Sequence, residues 1–87
     1  MNYKIELSTD SEKYLRILDK STRVRILNHL KILTENPRHP ELDIKKMQGR
    51  PNLYRLRVGN YRILYTIKGD ILVVFVVTVV PRDVVYK

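Results

Sequence analysis

Apolar residues in the first part of the chain follow two different periods. From Tyr3 to Leu7 apolar and polar residues alternate, which is typical of a short half-buried strand. Beyond that stretch apolar residues recur every three or four positions, the spacing of an amphipathic helix. Thr9 and Glu12 fit the two ends of a capping box that would start the first helix. A break at residues 19–21 and a stop at Pro37 then predict two antiparallel helices joined by a tight turn.

The second half of the chain predicts strands. Residues 37–44 read as a loop with two prolines, and residues 45–52 read as a basic connector. Three stretches rich in β-branched and aromatic residues follow, separated by glycine-containing turns, at residues 53–58, 61–67 and 71–80. With the N-terminal strand they make a small sheet of four strands. A chain of 87 residues has room for one domain with one modest core, spanning residues 1–87.

A Gly-Asn pair at residues 59–60 predicts a two-residue β-hairpin, because both residues tolerate a positive φ. This turn fixes the register, with Arg57 opposite Arg62 and Arg55 opposite Leu64. One face of the hairpin then carries residues that can pack on the helices, namely Tyr54, Leu56, Val58, Tyr61, Ile63 and Tyr65. The opposite face, called the arginine face below, carries Arg55, Arg57 and Arg62. Like charges placed directly opposite destabilise a sheet, so this arrangement needs an explanation.

The charge distribution offers one explanation. The formal net charge is +8, with 17 basic against 9 acidic residues, and residues 45–68 hold seven basic residues and no acidic one. A field of one sign attracts polyanions such as nucleic acid, an acidic protein or an anionic membrane, of which the membrane fits least. Guanidinium groups suit phosphate oxygens, so an anion between them would turn repulsion into attraction. The alternative is an ordinary solvated polar face.

Other kinds of site find little support. The chain has no cysteine, which excludes disulfides, thiolate metal sites and cysteine catalysis and suits a reducing cytoplasm. His29 and His39 lie far in sequence from the arginine face and form neither a metal site nor a triad. We therefore expect no metal and no cofactor. The N-terminus has no apolar stretch long enough for a signal peptide, and the apolar run at residues 71–80 is too short to cross a bilayer. A soluble, cytoplasmic protein is therefore predicted.

Chemistry without a metal remains open to such a face. RNA carries its own nucleophile in the 2′-OH group, and arginines can stabilise the negative charge that develops on the phosphate oxygens. Three pieces of sequence bear on this point: K-x-x-G-x-x-x-x-Y-R-x-R from Lys46, G-N-Y-R-I-x-Y from Gly59, and P-R-x-x-x-Y from Pro81. In this order, after two helices, they resemble the RelE-type toxins of prokaryotic toxin–antitoxin modules. The resemblance covers nearly the whole chain.

The resemblance implies a single RelE-like toxin domain of the α+β class, with two N-terminal antiparallel helices on one face of a small, mostly antiparallel, four-stranded sheet. It implies a metal-independent endoribonuclease that enters the ribosomal A site and cleaves the mRNA there. In that mechanism the 2′-OH attacks the adjacent phosphate and leaves a 2′,3′-cyclic phosphate and a 5′-OH. The implied partners are mRNA, the ribosome and a small acidic RelB-like antitoxin, with operator DNA bound only through the antitoxin complex and no membrane partner.

The resemblance also assigns roles to residues. Arg55 and Arg57 occupy strand positions where the family has basic residues, often lysines, that assist proton transfer and phosphate binding. Arg62 matches an arginine that contacts the scissile phosphate. Arg82 matches an arginine that stabilises the transition state or protonates the leaving group. Tyr86 matches a C-terminal tyrosine that stacks on a substrate base.

Three further residues would extend the basic surface towards ribosomal RNA, namely Lys45, Lys46 and Arg50.

Two alternative functions share the fold. One is a ParE-type toxin that poisons DNA gyrase. The other is a catalytically degenerate module that binds antitoxin and operator DNA, which stays open because arginine hardly deprotonates and so replaces lysine poorly as a base at positions 55 and 57.

Overall fold

The computed structural model describes residues 3–79 and contains two helices and five strands in this part of the chain. The elements in order are β1 (Lys4–Leu7), α1 (Thr9–Ile17), α2 (Lys20–Glu35), β2 (Asp43–Lys46), β3 (Leu53–Val58), β4 (Tyr61–Lys68) and β5 (Ile71–Val79). The strands form one sheet in the order β1-β5-β4-β3-β2. The β1–β5 pair is parallel and the other three pairs are antiparallel. The predicted α+β class is confirmed.

The number of strands in the prediction was wrong by one. Asp43–Lys46 pairs antiparallel with β3, although this stretch was predicted to be loop and connector. It has only one apolar residue, Ile44, which lies opposite Leu56 and packs against the core. Four residues with one inward side chain give no readable alternation, and lysines are common on edge strands because they discourage further pairing.

The first helix, α1, starts one residue earlier than the predicted cap implies. Ser8, not Thr9, is the N-cap of α1, and its Oγ accepts a hydrogen bond from the backbone N–H of Ser11 at 3.1 Å. Glu12 does not reach back to the cap but pairs with Arg16 on the next turn of the helix. The capping-box prediction was therefore wrong, because the serine one position earlier occupies the capping role.

Both helices pack on the same face of the sheet. α1 lies over β5 and α2 lies over β3. Their buried side chains meet those of the strands in one cluster, which comprises Leu15, Ile26, Leu30, Leu33, Leu56, Val58, Ile63, Tyr65, Leu72, Val74 and Val77. Tyr65 stacks on Tyr54 with ring centroids 5.5 Å apart. Burial, with a smaller effect of Tyr54, raises the pKa of Tyr65, so this hydroxyl stays protonated inside the core.

The predicted hairpin register is confirmed at every pair, including Arg57 with Arg62 and Arg55 with Leu64. Gly59 has a φ of 58°, whereas Asn60 has no positive φ. Glycine with positive φ at the first turn position is the arrangement of a type II′ hairpin. The turn thus places the arginine side chains on the face opposite the helices.

β5 contains an irregularity that the sequence did not reveal. Leu64 pairs with Val76 and Tyr65 pairs with Val74, so Phe75 is an extra residue opposite β4. This β-bulge changes the phase of the strand. As a result Phe75 is 40% exposed and lies on the outer face of the sheet.

No helix among residues 3–79 is long and apolar enough to cross a membrane.

Candidate nucleic-acid interface

The outer face of the sheet carries the three predicted arginines on two adjacent strands. Arg57 and Arg62 are direct cross-strand neighbours on β3 and β4, and both are exposed. Arg55 lies two positions along β3 from Arg57, opposite Leu64. Because alternate residues of a strand point to the same side, the three guanidinium groups share one surface.

A carboxylate also reaches the arginine face. Asp43 lies on β2 opposite Arg57, and its Oδ1 accepts a hydrogen bond from Arg55 Nη2 at 3.0 Å. The Arg55 side chain is only 18% exposed, against 60% for Asp43. β2 thus brings a carboxylate from outside the basic segment, residues 45–68, to the arginine face. Asp43 offsets part of the repulsion among the arginines.

Arg55 has an N–H group without a hydrogen-bond partner in the described part of the chain, despite this ion pair. Its Nε is buried and has no hydrogen-bond partner among the described residues. A buried unpaired donor of a charged group is costly, so the site is better satisfied with an acceptor added. A phosphate oxygen is an acceptor of the right charge, and a guanidinium group can bind a second oxygen with another edge.

The hairpin turn adds another cation, which sequence reasoning did not find. Arg57 Nε donates a hydrogen bond to the carbonyl oxygen of Gly59 at 3.3 Å, which draws its side chain towards the turn. Arg25 of α2 reaches the same turn, since its Nη1 lies 3.1 Å from where a Cβ on Gly59 would be. Only the packing of α2 on the sheet brings Arg25 there, and no sequence pattern connects the two positions.

The predicted RNA-binding residues divide between two places. Lys45 and Lys46 line a shallow pocket of about 380 Å³ together with Arg55 and Arg62. Arg50 lies elsewhere on the outer face, beside a larger apolar pocket. Two predicted site residues, Arg82 and Tyr86, lie outside the described residues.

The histidines take part in local backbone contacts. His29 Nδ1 lies 2.7 Å from the carbonyl oxygen of Arg25 within α2. His39 Nδ1 accepts a hydrogen bond from the backbone N–H of Glu41 at 3.1 Å. No cluster of three or more potential metal ligands occurs between residues 3 and 79. The chemistry this part of the chain offers is the binding of an anion by arginine and lysine, and stabilisation of charge that develops on it.

Comparison with known proteins decides the family. A family model described as "ParE toxin of type II toxin-antitoxin system, parDE" matches residues 5–86. The chain belongs to the RelE/ParE superfamily of toxins. The mRNA interferase toxin RelE of Escherichia coli is 29% identical to it over 85 residues, covering 95% of this chain and 86% of the relative. The resemblance to RelE-type toxins is thereby confirmed.

Solved structures of RelE-type proteins share the fold of this toxin. The RelE–RelB complex of Pyrococcus horikoshii matches with a TM-score of 0.81 and 27% identity, over 95% of this chain and all of that one. The RelB–RelE antitoxin–toxin complex from Methanococcus jannaschii matches with a TM-score of 0.69 and 32% identity, over 84% and 87% of the two chains. Isolated Escherichia coli RelE, at 22% identity and a TM-score of 0.78, shows the fold alone.

Proposed function

We propose that this toxin is a ribosome-dependent endoribonuclease that cleaves mRNA in the A site. The observation that carries the proposal is the exposed pair Arg57 and Arg62, which face each other across two strands. Beside them lies Arg55, whose buried Nε has no hydrogen-bond partner among the described residues. The relative from Escherichia coli, named an mRNA interferase, supports the same activity. The reaction is attack by the 2′-OH on the adjacent phosphate, giving a 2′,3′-cyclic phosphate and a 5′-OH.

In this proposal the scissile phosphate lies between Arg57 and Arg62. Both guanidinium groups are exposed and can bind its non-bridging oxygens, Arg57 through the nitrogens other than the Nε that donates to Gly59. Negative charge grows on these oxygens as the 2′-oxygen attacks. Arg55 donates to the same group while Asp43 holds its other edge. Because arginine hardly deprotonates, we assign Arg55 and Arg57 to phosphate binding and charge stabilisation and not to proton transfer.

The remaining predicted residues keep the roles that the resemblance gave them. Arg82 stabilises the transition state or protonates the leaving 5′-oxygen, and Tyr86 stacks on a substrate base. Lys45 and Lys46 extend the basic surface next to Arg62, in support of contacts with ribosomal RNA. No metal or cofactor enters the scheme, and residues 1–87 act as one toxin domain.

The proposed inhibitor is a small acidic antitoxin of the RelB type. Two observations support it: the solved relatives include RelE–RelB complexes, and the net charge of this toxin is +8. A positively charged toxin attracts an acidic partner electrostatically. Binding of operator DNA would occur only through the complex of toxin and antitoxin.

Primer extension on a translated reporter mRNA tests the activity. After induction of the toxin we expect new 5′ ends inside translated codons, and we expect Arg62→Ala to abolish them. Arg16→Ala is the matched control, because Arg16 is an exposed arginine on α1 that pairs with Glu12. Cleavage that persists unchanged in Arg62→Ala would refute the assignment of the arginine face.

Gyrase poisoning is the second candidate, because the matching family model is described as a ParE toxin. It predicts growth arrest with a DNA-damage response and intact mRNA. A catalytically degenerate module, which the arginines at 55 and 57 keep open, predicts neither arrest nor cleavage. The same induction experiment separates all three.

A further inference from the structure

The β-bulge in β5 is held in place by the start of α1. Ser8 Oγ donates a hydrogen bond to the carbonyl oxygen of Phe75 at 2.6 Å, and Ser8 N–H donates to that of Val74 at 2.9 Å. Ser11, fully buried, has its hydroxyl 2.8 Å from Ser8 Oγ. The helix cap therefore binds the carbonyl group of Phe75, the residue that the bulge leaves without a pairing partner on β4. Bulges often redirect side chains, and this one directs Phe75 outwards.

Phe75 lines an apolar pocket on the outer face, called the Phe75 pocket below. Its volume is about 660 Å³, and its apolar lining includes Leu53, Leu64 and Val76. Thr66 also lines it, but its hydroxyl donates to the carbonyl oxygen of Asn52 at 2.5 Å and is thereby satisfied. Pockets of this volume are of the size that binds small organic groups.

The charged residues on the rim of the Phe75 pocket are Arg50 and Lys68, with no carboxylate among the lining residues. An aromatic ring between cations is the usual platform for single-stranded nucleic acid, where a base stacks on the ring and the cations bind phosphates. The carboxylates of an acidic peptide would also pair with the cations, but they do not stack on an aromatic ring as a nucleobase does.

The Phe75 pocket adjoins the arginine face. Leu64, in its lining, is the cross-strand neighbour of Arg55 and lies two residues along β4 from Arg62. At the rise of a β-strand, the path from Arg62 to Lys68 measures roughly 20 Å, which is the length of several stacked nucleotides. A single strand bound at Arg62 can therefore continue along β4 to the pocket.

We propose that the Phe75 pocket is a nucleobase subsite, in which an unpaired base flanking the scissile phosphate stacks on Phe75 while Arg50 and Lys68 bind neighbouring phosphates. This inference rests on the proposed RNA-cleaving function and adds a second base contact to it. The subsite contributes affinity through stacking, which tolerates different bases because every base has a π-face. The free toxin should show this affinity without the ribosome.

Tryptophan fluorescence provides the test, since the chain contains no tryptophan. Phe75→Trp places a single indole in the pocket, and stacking of a base should quench its emission. The probe is a six-nucleotide 2′-O-methyl oligoribonucleotide, which cannot be cleaved, carrying a terminal dye whose anisotropy reports binding independently. Val24→Trp is the matched control, because Val24 is 44% exposed on α2 against 40% for Phe75. We expect quenching in Phe75→Trp and none in Val24→Trp.

A second variant measures the contribution of stacking. Phe75→Leu keeps an apolar side chain and the backbone carbonyl that Ser8 binds, but removes the aromatic ring. We expect its affinity for the oligonucleotide to fall by about 5- to 100-fold, with the thermal unfolding midpoint near that of the unsubstituted toxin.

Three results would overturn the subsite: binding without quenching, no binding at all, or an unchanged affinity in Phe75→Leu. Loss of antitoxin binding in Phe75→Leu with oligonucleotide affinity intact would identify the pocket as a protein-docking site instead. Failure of the subsite leaves the proposed function standing if Arg62-dependent mRNA cleavage is observed. Failure of the proposed function shows itself separately, as absence of that cleavage.

Discussion

Replacing Asp43 with asparagine should strengthen the binding of single-stranded RNA to the arginine face. Asp43 Oδ1 occupies one edge of Arg55 at 3.0 Å from Nη2, and Asp43 also lies opposite Arg57. Asparagine has nearly the same shape but no charge. The change removes a competitor for the guanidinium group and makes the face more positive by one unit.

The expected size of the effect follows from the exposure of the pair. The Asp43 side chain is 60% exposed, so its field is largely screened by water. Unit charges about 4 Å apart in water interact by roughly 1 kcal/mol, which sets an upper bound of about fivefold on the gain in affinity. If Arg55 gains one phosphate contact, the slope of log K against log salt should steepen by about 0.7.

The assay is a titration of a dye-labelled 2′-O-methyl oligoribonucleotide at several salt concentrations. Glu35→Gln serves as control, because it makes the same change in net charge at the end of α2. A gain in Asp43→Asn that exceeds the gain in Glu35→Gln, with the steeper slope, supports the reasoning. Weaker binding by Asp43→Asn would refute it and would mean that Asp43 acts mainly by holding Arg55 in position.

Three predictions concern stability. Ser8→Ala should lower the free energy of unfolding by about 1 kcal/mol because α1 loses its N-cap, and by more if the bulge loosens. Urea unfolding measures this loss. Ser21→Ala is the control, because it leaves the bulge untouched and should lower the free energy of unfolding by less. Gly59→Ala should destabilise the hairpin by about 1–2 kcal/mol, because Gly59 has a φ of 58°; an unchanged urea midpoint would contradict the turn geometry. Hydrogen bonds from the Ser21 hydroxyl and then the hydroxyl and N–H of Thr22 lower the pKa of Asp19 from 3.8 to about 2. Since this pKa is lowered on folding, its stabilising contribution is complete above about pH 4 and is lost as the pH falls towards 2. Asp19→Asn should flatten that part of the pH profile of the urea midpoint, and an unaltered profile would contradict the assignment.

The hairpin could be predicted from sequence because its determinants are local. A glycine at the first turn position and alternating residues on both sides leave one register that separates apolar from charged side chains. The structure has that register at each predicted pair, with Arg57 opposite Arg62. The helices could be predicted for the same reason, although the N-cap of α1 is Ser8 and not the predicted Thr9.

The features that sequence did not predict depend on contacts between distant residues. β2 exists because β3 offers it a partner, and only that pairing brings Asp43 to Arg55. The exposure of Phe75 depends on a bulge whose carbonyl group is bound by Ser8, 67 positions away in the chain. Neither contact leaves a periodic trace in the sequence. Both belong to the surface where we place the substrate.

The most direct test of the proposed activity is a single-turnover cleavage assay on purified ribosomes that carry a defined mRNA with an empty A site. The proposed mechanism predicts a cut within the A-site codon and a 2′,3′-cyclic phosphate at the new end. Arg62→Ala should lose the cleavage while Arg16→Ala retains it. Cleavage by Arg62→Ala at the rate of the unsubstituted toxin, or no cleavage by the folded toxin, would contradict the account.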